Sequence, residues 1–253
     1  QKGFDCAVYA LKLLLEKQYP VYWYIIGEGP EYGRLTQLAR SLHVEDHFIF
    51  LGMQTNPYPY FKMADLKNKR IITVATTGAW PKKENNPNVP LQPEEIAEEI
   101  YQCWKIGAAV AHVHVRDEEG NDSMKVETFK KVIDLVRENH PDCDIIFNLT
   151  AAGGIANSEE ARMAPFKTLK PEMASFDCGT MNWMHMGIFN NNPNFLRNMG
   201  TAMQEAGVKP EIEVFDPGMI HDAAYYLKTG YLKAPLHFQF CMGCAGGISA
   251  TID

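Results

Sequence analysis

The sequence predicts an α/β fold in which parallel strands alternate with covering helices. Three observations carry that reading. Short β-rich runs alternate with helical runs almost throughout the 253 residues, and such alternation means a parallel sheet covered by helices. About two strand runs precede residue 65 and about six follow it, a sum near the eight at which a (β/α)₈ barrel closes. Polar and glycine residues gather where strand runs end, at 112–117, 148–154 and 211–216, and barrel enzymes keep their working residues at those C-terminal ends.

Taken in order, residues 6–17 carry Ala7, Ala10, Leu11, Leu14 and Leu15 as a helical stripe. Residues 21–26 are an apolar run between Pro20 and Gly27, a buried strand. Residues 32–42 set Leu35, Leu38, Ala39 and Leu42 on one helical face, and 48–51 form a strand closed by Gly52. A short segment, 57–65, follows. Residues 70–76 read as a strand leading into a Pro- and Asn-rich loop, 81–90. Pro93, with Glu94 and Glu95 behind it, opens a helix whose buried face is Ile96, Ile100, Trp104 and Gly107. Proline fits a first helical turn, and the acids suit the positive end of the helix dipole. Residues 109–115 are a strand. The next helix is lined by Val126, Phe129, Ile133 and Val136, with Asp122 and Ser123 as capping candidates. Strands at 144–149 and 174–178 flank a helix at 159–169. Phe195, Met199, Ala202 and Ala206 line a helix stopped by Gly207. A strand at 211–215, a helix around 223–228 and a strand at 236–241 complete the series.

Hydrophobic residues at 46% and charged residues at 22% furnish an ordinary globular core. A net charge of −7 argues against a general nucleic-acid binder, though not against a local basic site for an anionic substrate. No apolar run approaches the roughly 20 residues of a membrane span, and no signal peptide is expected. Gln1 falls in mid-pattern, so the natural start is expected further upstream. Cys6, Cys103, Cys143, Cys178, Cys241 and Cys244 are scattered, as reduced thiols in the core of a cytoplasmic protein are. Cys241 and Cys244 form a C-x-x-C, but it ends a strand and runs into Gly246-Gly247 instead of opening a helix. Core thiols are therefore expected there, not a redox pair.

Three groups carry chemistry. In His112-Val113-His114-Val115-Arg116, strand alternation points both imidazoles one way and sends Val113 and Val115 into the helix layer. Two imidazoles on one face are half of a zinc site; the alternative is a pair satisfied by backbone or water at a barrel mouth. In Asn148-Leu149-Thr150-Ala151-Ala152-Gly153-Gly154, the glycines allow close backbone approach, and free amides there could hold an anion; the alternative is a tight turn. Glu211 and Glu213 share a face of an otherwise apolar strand, followed by Asp216. A carboxylate inside a barrel is costly unless paired or used, and the alternative is a salt bridge at the mouth.

Residues 67–253 resemble the β-keto acid cleavage enzymes. The resemblance rests on Ile71-Ile72-Thr73-Val74-Ala75-Thr76-Thr77-Gly78-Ala79, Asn86-Pro87, His112 to Asp117, Lys170-Pro171-Glu172-Met173-Ala174 and Pro210-Glu211-Ile212-Glu213-Val214. It implies a TIM barrel and a zinc-dependent exchange in which a β-keto acid and acetyl-CoA give acetoacetate and a new acyl-CoA. It implies His112 and His114 as zinc ligands and Thr150 near the substrate carboxylate. It also implies Gly153 and Gly154 as close backbone, Ser175 as a second pocket hydroxyl and Glu213 as an inward catalytic acid. Oligomers are expected from the same resemblance. Two departures are visible. Trp80 stands where the family has an acid, which implies a different substrate. The family's third zinc ligand, with an arginine and an aspartate beside it, lies beyond the strand ending near Cys241, so the chain is expected to lack these and to be truncated.

Residues 1–65 resemble the nucleotide-binding half of retaining GT-B glycosyltransferases. The resemblance rests on Lys2-Gly3-Phe4-Asp5, Ile25-Ile26-Gly27-Glu28-Gly29-Pro30, Phe50-Leu51-Gly52 and Asn56-Pro57-Tyr58-Pro59-Tyr60. It implies Lys2 at a donor diphosphate and Gly27 and Glu28 at a nucleotide. The expected domains are thus 1–65, a Rossmann-like fragment of about two strands, and 66–253, an incomplete barrel of about six βα units, joined near Leu66-Lys67-Asn68-Lys69. The two borrowed strands would close the barrel if they paired between its last and first strands; otherwise two incomplete domains pack separately. A truncated fusion, a natural recombinant and a designed chimera all fit. Three functions stay open: the zinc acyl-exchange enzyme, an inactive chimera or fragment, and a nucleotide-sugar-binding remnant.

Overall fold

Six parallel strands carry the fold, and the computed structural model describes residues 3–19, 21–26, 32–52 and 71–250. Contacts divide the chain into two units, Gln1–Ala64 with Ile248–Asp253, and Asp65–Gly247.

In the smaller unit, α1 (Gly3–Glu16), β1 (Trp23–Ile26), α2 (Tyr32–Ser41) and β2 (Phe48–Gly52) follow one another. The two strands pair in parallel, Trp23 opposite Phe48, with α2 as their connection. Val8 and Leu11 of α1 and Leu35 and Ala39 of α2 bury against Val44 and Phe48; Leu11, Leu35 and Ala39 lie on the stripes expected from the helical spacing, and Val8 adds to them. Among the described residues these strands form a sheet of their own, so the pairing that would complete an eight-stranded barrel is not seen there. The junction at 66–69 and the segment 57–65 lie outside the described residues.

The larger unit runs β3 (Thr73–Ala75), α3 (Pro93–Lys105), β4 (Val110–Val113), β5 (Val115–Arg116), β6 (Asp122–Ser123), α4 (Val126–Asn139) and β7 (Ile146–Leu149). It continues through α5 (Glu159–Leu169), β8 (Met173–Asp177), β9 (Met181–Trp183), β10 (Gly187–Phe189), α6 (Pro193–Ala206), β11 (Lys209–Val214), α7 (Gly218–Lys228) and β12 (His237–Phe240). The sheet order β3-β4-β7-β8-β11-β12 is also chain order, and every pairing is parallel. Each step returns through a helix, and repeating one hand of crossover curls the sheet into a half-barrel.

Helix ends follow local chemistry. The Glu95 carboxylate accepts the free amides of Leu91 and Gln92 at 2.8 and 3.2 Å ahead of α3. Asn192 Oδ1 accepts from the amides of Asn194 and Phe195 at the start of α6, and Gly207, at φ +73°, ends it. Asp122 and Ser123, expected as caps, instead form β6, antiparallel to β5, and Lys125 holds the cap position of α4 without a side-chain bond. Two-residue strands leave no periodic trace, and the pairing satisfies the backbone where the caps were expected. The β9–β10 hairpin was also hidden from sequence. Its tip is Met184-His185, both at positive φ, where a tight hairpin normally announces itself with Asn or Gly.

Alternation along the strands sorts the side chains. Ala111, Val113, Phe147 and Leu149 face outward to Ile96, Ile100, Phe129 and Val136 of α3 and α4. Ala174, Phe176, Ile212 and Val214 face Phe195, Met199 and Met203 of α6 and Met219 of α7. Phe129, Phe147, Phe176 and Phe195 are fully buried, each worth about 1.5–3 kcal/mol in surface removed from water. Residues of the opposite parity point inward; Val110, Ile146 and Met173 among them are apolar, and those nearer the C-terminal strand ends, His112, Asn148, Ser175, Asp177 and Glu213, are polar.

Candidate functional site

Strand register brings those inward residues together. His112 lies opposite Asn148 on the β4–β7 pair, and Glu211 lies between Ser175 and His237 on β8–β11–β12. Glu211 is fully buried. Its Oε2 accepts from His112 Nδ1 at 3.0 Å and from Asn148 Nδ2. Its Oε1 makes no hydrogen bond, and His237 Nε2 stands 3.6 Å from it. Burial pushes this carboxyl up, but the neighbouring His112, His237 and Asn148 side chains outweigh burial and hold it at about 2. It is therefore an acceptor only, so the 3.0 Å contact requires the proton on His112 Nδ1.

His112 Nε2 faces His114 Nε2 at 3.2 Å. His114 falls in the break between β4 and β5 instead of inside one strand, yet both rings turn to the same side as alternation required. Burial, then the neighbouring His112 and Arg116, keep the His114 imidazole well below its usual pKa, so it is neutral. Its Nδ1 is buried without a hydrogen-bond partner. Two ring nitrogens this far apart match two donors on one ion bound at about 2.0–2.1 Å each. His112, Glu211 and Glu213 also offer donor atoms within 4.8 Å of one another. Because Nδ1 of His112 is already bonded to Glu211, we favour the Nε2 edge for a metal and read Glu211 as the carboxylate that orients the ring.

Glu213 sits two residues on, with its Oε1 3.7 Å from His112 Nδ1. Burial and then the neighbouring Asp177 push its carboxyl well above the usual range, so it stays protonated. Asp177 lies beside it in register on β8, and neither Asp177 oxygen has a hydrogen bond. The nearest cation recorded there is Arg162, its Nη2 3.9 Å from Asp177 Oδ2. The Arg162 guanidinium is spent on Ala151 O at 2.7 Å, Asn190 O at 3.1 Å and Asn191 Oδ1 at 2.6 Å, between the rings of Phe189 and Phe195.

The hydroxyls are anchored as acceptors. Ser175 Oγ takes the amide of Ala151 at 2.9 Å, and Thr150 Oγ1 takes that of Ala152 at 3.1 Å. Each keeps its own proton for another acceptor. The Gly154 amide donates to Asp122 Oδ2 at 2.7 Å, so it is engaged within the protein. Gly153 has φ +60°, and a Cβ there would meet Asn157 Nδ2 at 2.6 Å, which explains glycine at this turn. Buried Arg116 ties down the neighbouring loop, donating from Nε to Gly78 O at 2.9 Å, from Nη2 to Pro81 O at 3.0 Å and from Nη1 to Gly120 O at 2.8 Å. Cys241 and Cys244 are free thiols packed against the core. Lys2, Gly27 and Glu28 lie outside the described residues.

Sequence reasoning paired His112 with His114 and Glu211 with Glu213, but gave no role to Asn148, Asp177, Arg162 or His237. A signal for three of them was present. Each of five strands carries inward polar residues two apart: His112 and His114, Asn148 and Thr150, Ser175 and Asp177, Glu211 and Glu213, His237 and Gln239.

Residues 1–67 match the glycosyl transferases group 1. A 3-keto-5-aminohexanoate cleavage enzyme of Acetoanaerobium sticklandii is 45% identical over 183 residues, 72% of this chain and 66% of the relative. A 3-dehydrocarnitine:acetyl-CoA trimethylamine transferase of Rhizobium meliloti is 35% identical over 199 residues, 70% of this chain and 65% of the relative. This chain thus spans about two thirds of the length of the curated relatives it matches. The solved structure of apo ObcA superposes with a TM-score of 0.56 at 22% identity, over 62% of this chain and 37% of that one, a likeness of fold. Residues 69–253 match the β-keto acid cleavage enzymes throughout, and the chain belongs to that family.

Proposed function

We propose that the inner face of the half-barrel exchanges acyl groups between a β-keto acid and acetyl-CoA, giving acetoacetate and the acyl-CoA of the remainder. In the balanced reaction, R–CO–CH₂–COO⁻ and CH₃–CO–S–CoA become R–CO–S–CoA and CH₃–CO–CH₂–COO⁻. The observation that carries this reading is the pair of facing imidazole nitrogens at 3.2 Å, with His112 oriented by a buried carboxylate. His112 and His114 would hold Zn²⁺ through Nε2. When bound, the ion would supply Lewis-acid polarisation of the keto group.

The remaining work belongs to the chain. Thr150 and Ser175, their oxygens fixed by backbone amides, offer O–H donors to the substrate carboxylate. Gly153 and Gly154 shape the turn beside them. Glu213, kept protonated, gives its proton to the oxygen on which charge develops and recovers it when the carbonyl re-forms. The outward apolar layer excludes water beneath these groups. Incubating the chain with β-keto acids, acetyl-CoA and Zn²⁺ tests the reading by chromatography of the CoA thioesters. A new acyl-CoA matched by acetoacetate, lost in His112→Ala, is expected. Thioester turnover unaffected by His112→Ala would sink it.

A further inference from the structure

We propose that Arg162 is a positioning residue: by pinning one peptide plane in the turn after β7, it aims the Thr150 hydroxyl at the carboxylate of the substrate. The inference rests on the reading of Thr150 given above and adds a residue from α5. The peptide joining Ala151 to Ala152 is held at both ends. Its carbonyl oxygen accepts from Arg162 Nε at 2.7 Å, and its N–H donates to Thr150 Oγ1 at 3.1 Å. A peptide unit is planar, so fixing the oxygen fixes the direction of the N–H on the far side. Ala151 is fully buried, so water is not at hand to replace the guanidinium on that oxygen.

The guanidinium is itself held fast. It lies between the rings of Phe189 and Phe195, with Cζ 4.7 and 4.4 Å from their centroids. Its other arms donate to Asn190 O at 3.1 Å and to Asn191 Oδ1 at 2.6 Å. Asn191 donates in turn from Nδ2 to Gly179 O at 3.0 Å, and its amide donates to Thr180 Oγ1 at 2.8 Å. The fork therefore ties the turn after β7 to the turn after β8 and to the segment that opens α6. A threonine side chain has more than one staggered position open to it. The Ala152 amide selects the one in which Oγ1 accepts, which leaves the O–H for a substrate oxygen. Were the peptide plane to turn, that amide would leave Oγ1 and the hydroxyl would lose its aim. A lysine at this position keeps the charge but carries its donors only at the tip, beyond the Nε that Ala151 uses.

The test uses the full chain with acetoacetate as the probe, Zn²⁺ being present throughout, and reads affinity by NMR titration. Arg162→Lys moves the donors away from Nε; Arg162→Met replaces it if it does not fold, as judged by circular dichroism. Thr150→Val removes the hydroxyl at nearly constant shape. Each single variant should bind acetoacetate about tenfold more weakly, the scale of one hydrogen bond to a charged group. The double variant should also lose only about tenfold, because the second change removes nothing that the first has left. A residue that merely supports the fold would multiply with Thr150→Val to about a hundredfold; that result, or wild-type affinity in Arg162→Lys, overturns the proposal. If wild type does not bind acetoacetate, or Thr150→Val binds it as wild type does, the reading of Thr150 fails by itself and the backbone decides. An Ala152 amide resonance that moves in Arg162→Lys as it does in Thr150→Val supports the positioning role, and one unmoved in Arg162→Lys rejects it.

Discussion

Two polar pockets lie side by side inside the sheet, and they treat the same residue type in opposite ways. Around Glu211, donors from His112 and Asn148 converge on one carboxylate, and its pKa is held at about 2. Around Glu213, two residues further along β11, burial and then its register neighbour Asp177, another acid, drive the pKa well upward. Both side chains are buried. Burial therefore does not decide which is charged. What decides is whether the neighbouring strands present N–H donors or carboxyl oxygens at that level. One strand thereby supplies a fixed anion to orient a ring and a proton carrier beside it.

The largest test of that contrast removes the cation behind the donor-poor pocket. Arg162→Leu strips three acceptors of their donor and leaves Asp177 without its nearest positive charge. A loss of about 3–5 kcal/mol is expected from denaturant titration, and a loss under about 1 kcal/mol would mean that the guanidinium does not support that pocket.

A second test separates the two glutamates by pH in metal-free protein. Glu211 has its pKa lowered on folding, so the stability it contributes is complete above 4.5 and is lost as pH falls from there through about 2. Glu213 has its pKa raised, so its contribution is complete below 4.5 and declines as pH climbs above that value. Against wild type, Glu211→Gln should flatten the acid limb of the stability profile and Glu213→Gln the opposite limb. Both variants acting on one limb would show that the pair titrates as a unit and that the contrast is false.

The smallest effect is expected at Glu95, which is also held at about 2, by Lys83 and the amides of Leu91 and Gln92. Its side chain is 43% exposed, so solvent screens most of the gain. Glu95→Ala should cost about 1 kcal/mol, mainly as a lost helix cap. A cost matching Arg162→Leu would show that exposure does not separate these carboxylates as argued.

The sheet was legible because each strand is a short apolar run bounded by turn residues, and each helix shows its stripe. The polar pairs two residues apart were also legible, and they include His112 with His114 and Glu211 with Glu213. The direction of each charge was not. That Asn148 donates to Glu211 while Asp177 crowds Glu213 depends on strand stagger, which changes partners at every residue and leaves no local signature. The β5–β6 and β9–β10 hairpins escaped for a related reason. Strands of two or three residues are too short for a period, and Met184-His185 adopts a turn that its side chains do not advertise.

The clamp made by Arg116 has a consequence for how such a site can diversify. All three of its bonds end on main-chain carbonyls, those of Gly78, Pro81 and Gly120. A carbonyl is present whatever side chain its residue carries, so the anchor is indifferent to the identity of the loop it fastens. Trp80, flanked by two of the fastened positions, can be exchanged for a residue of another size or charge while the loop keeps its path. Variation in the side chains of this loop is thereby uncoupled from the bonds that hold its path, and the anchoring falls to Arg116 alone among the residues of the clamp.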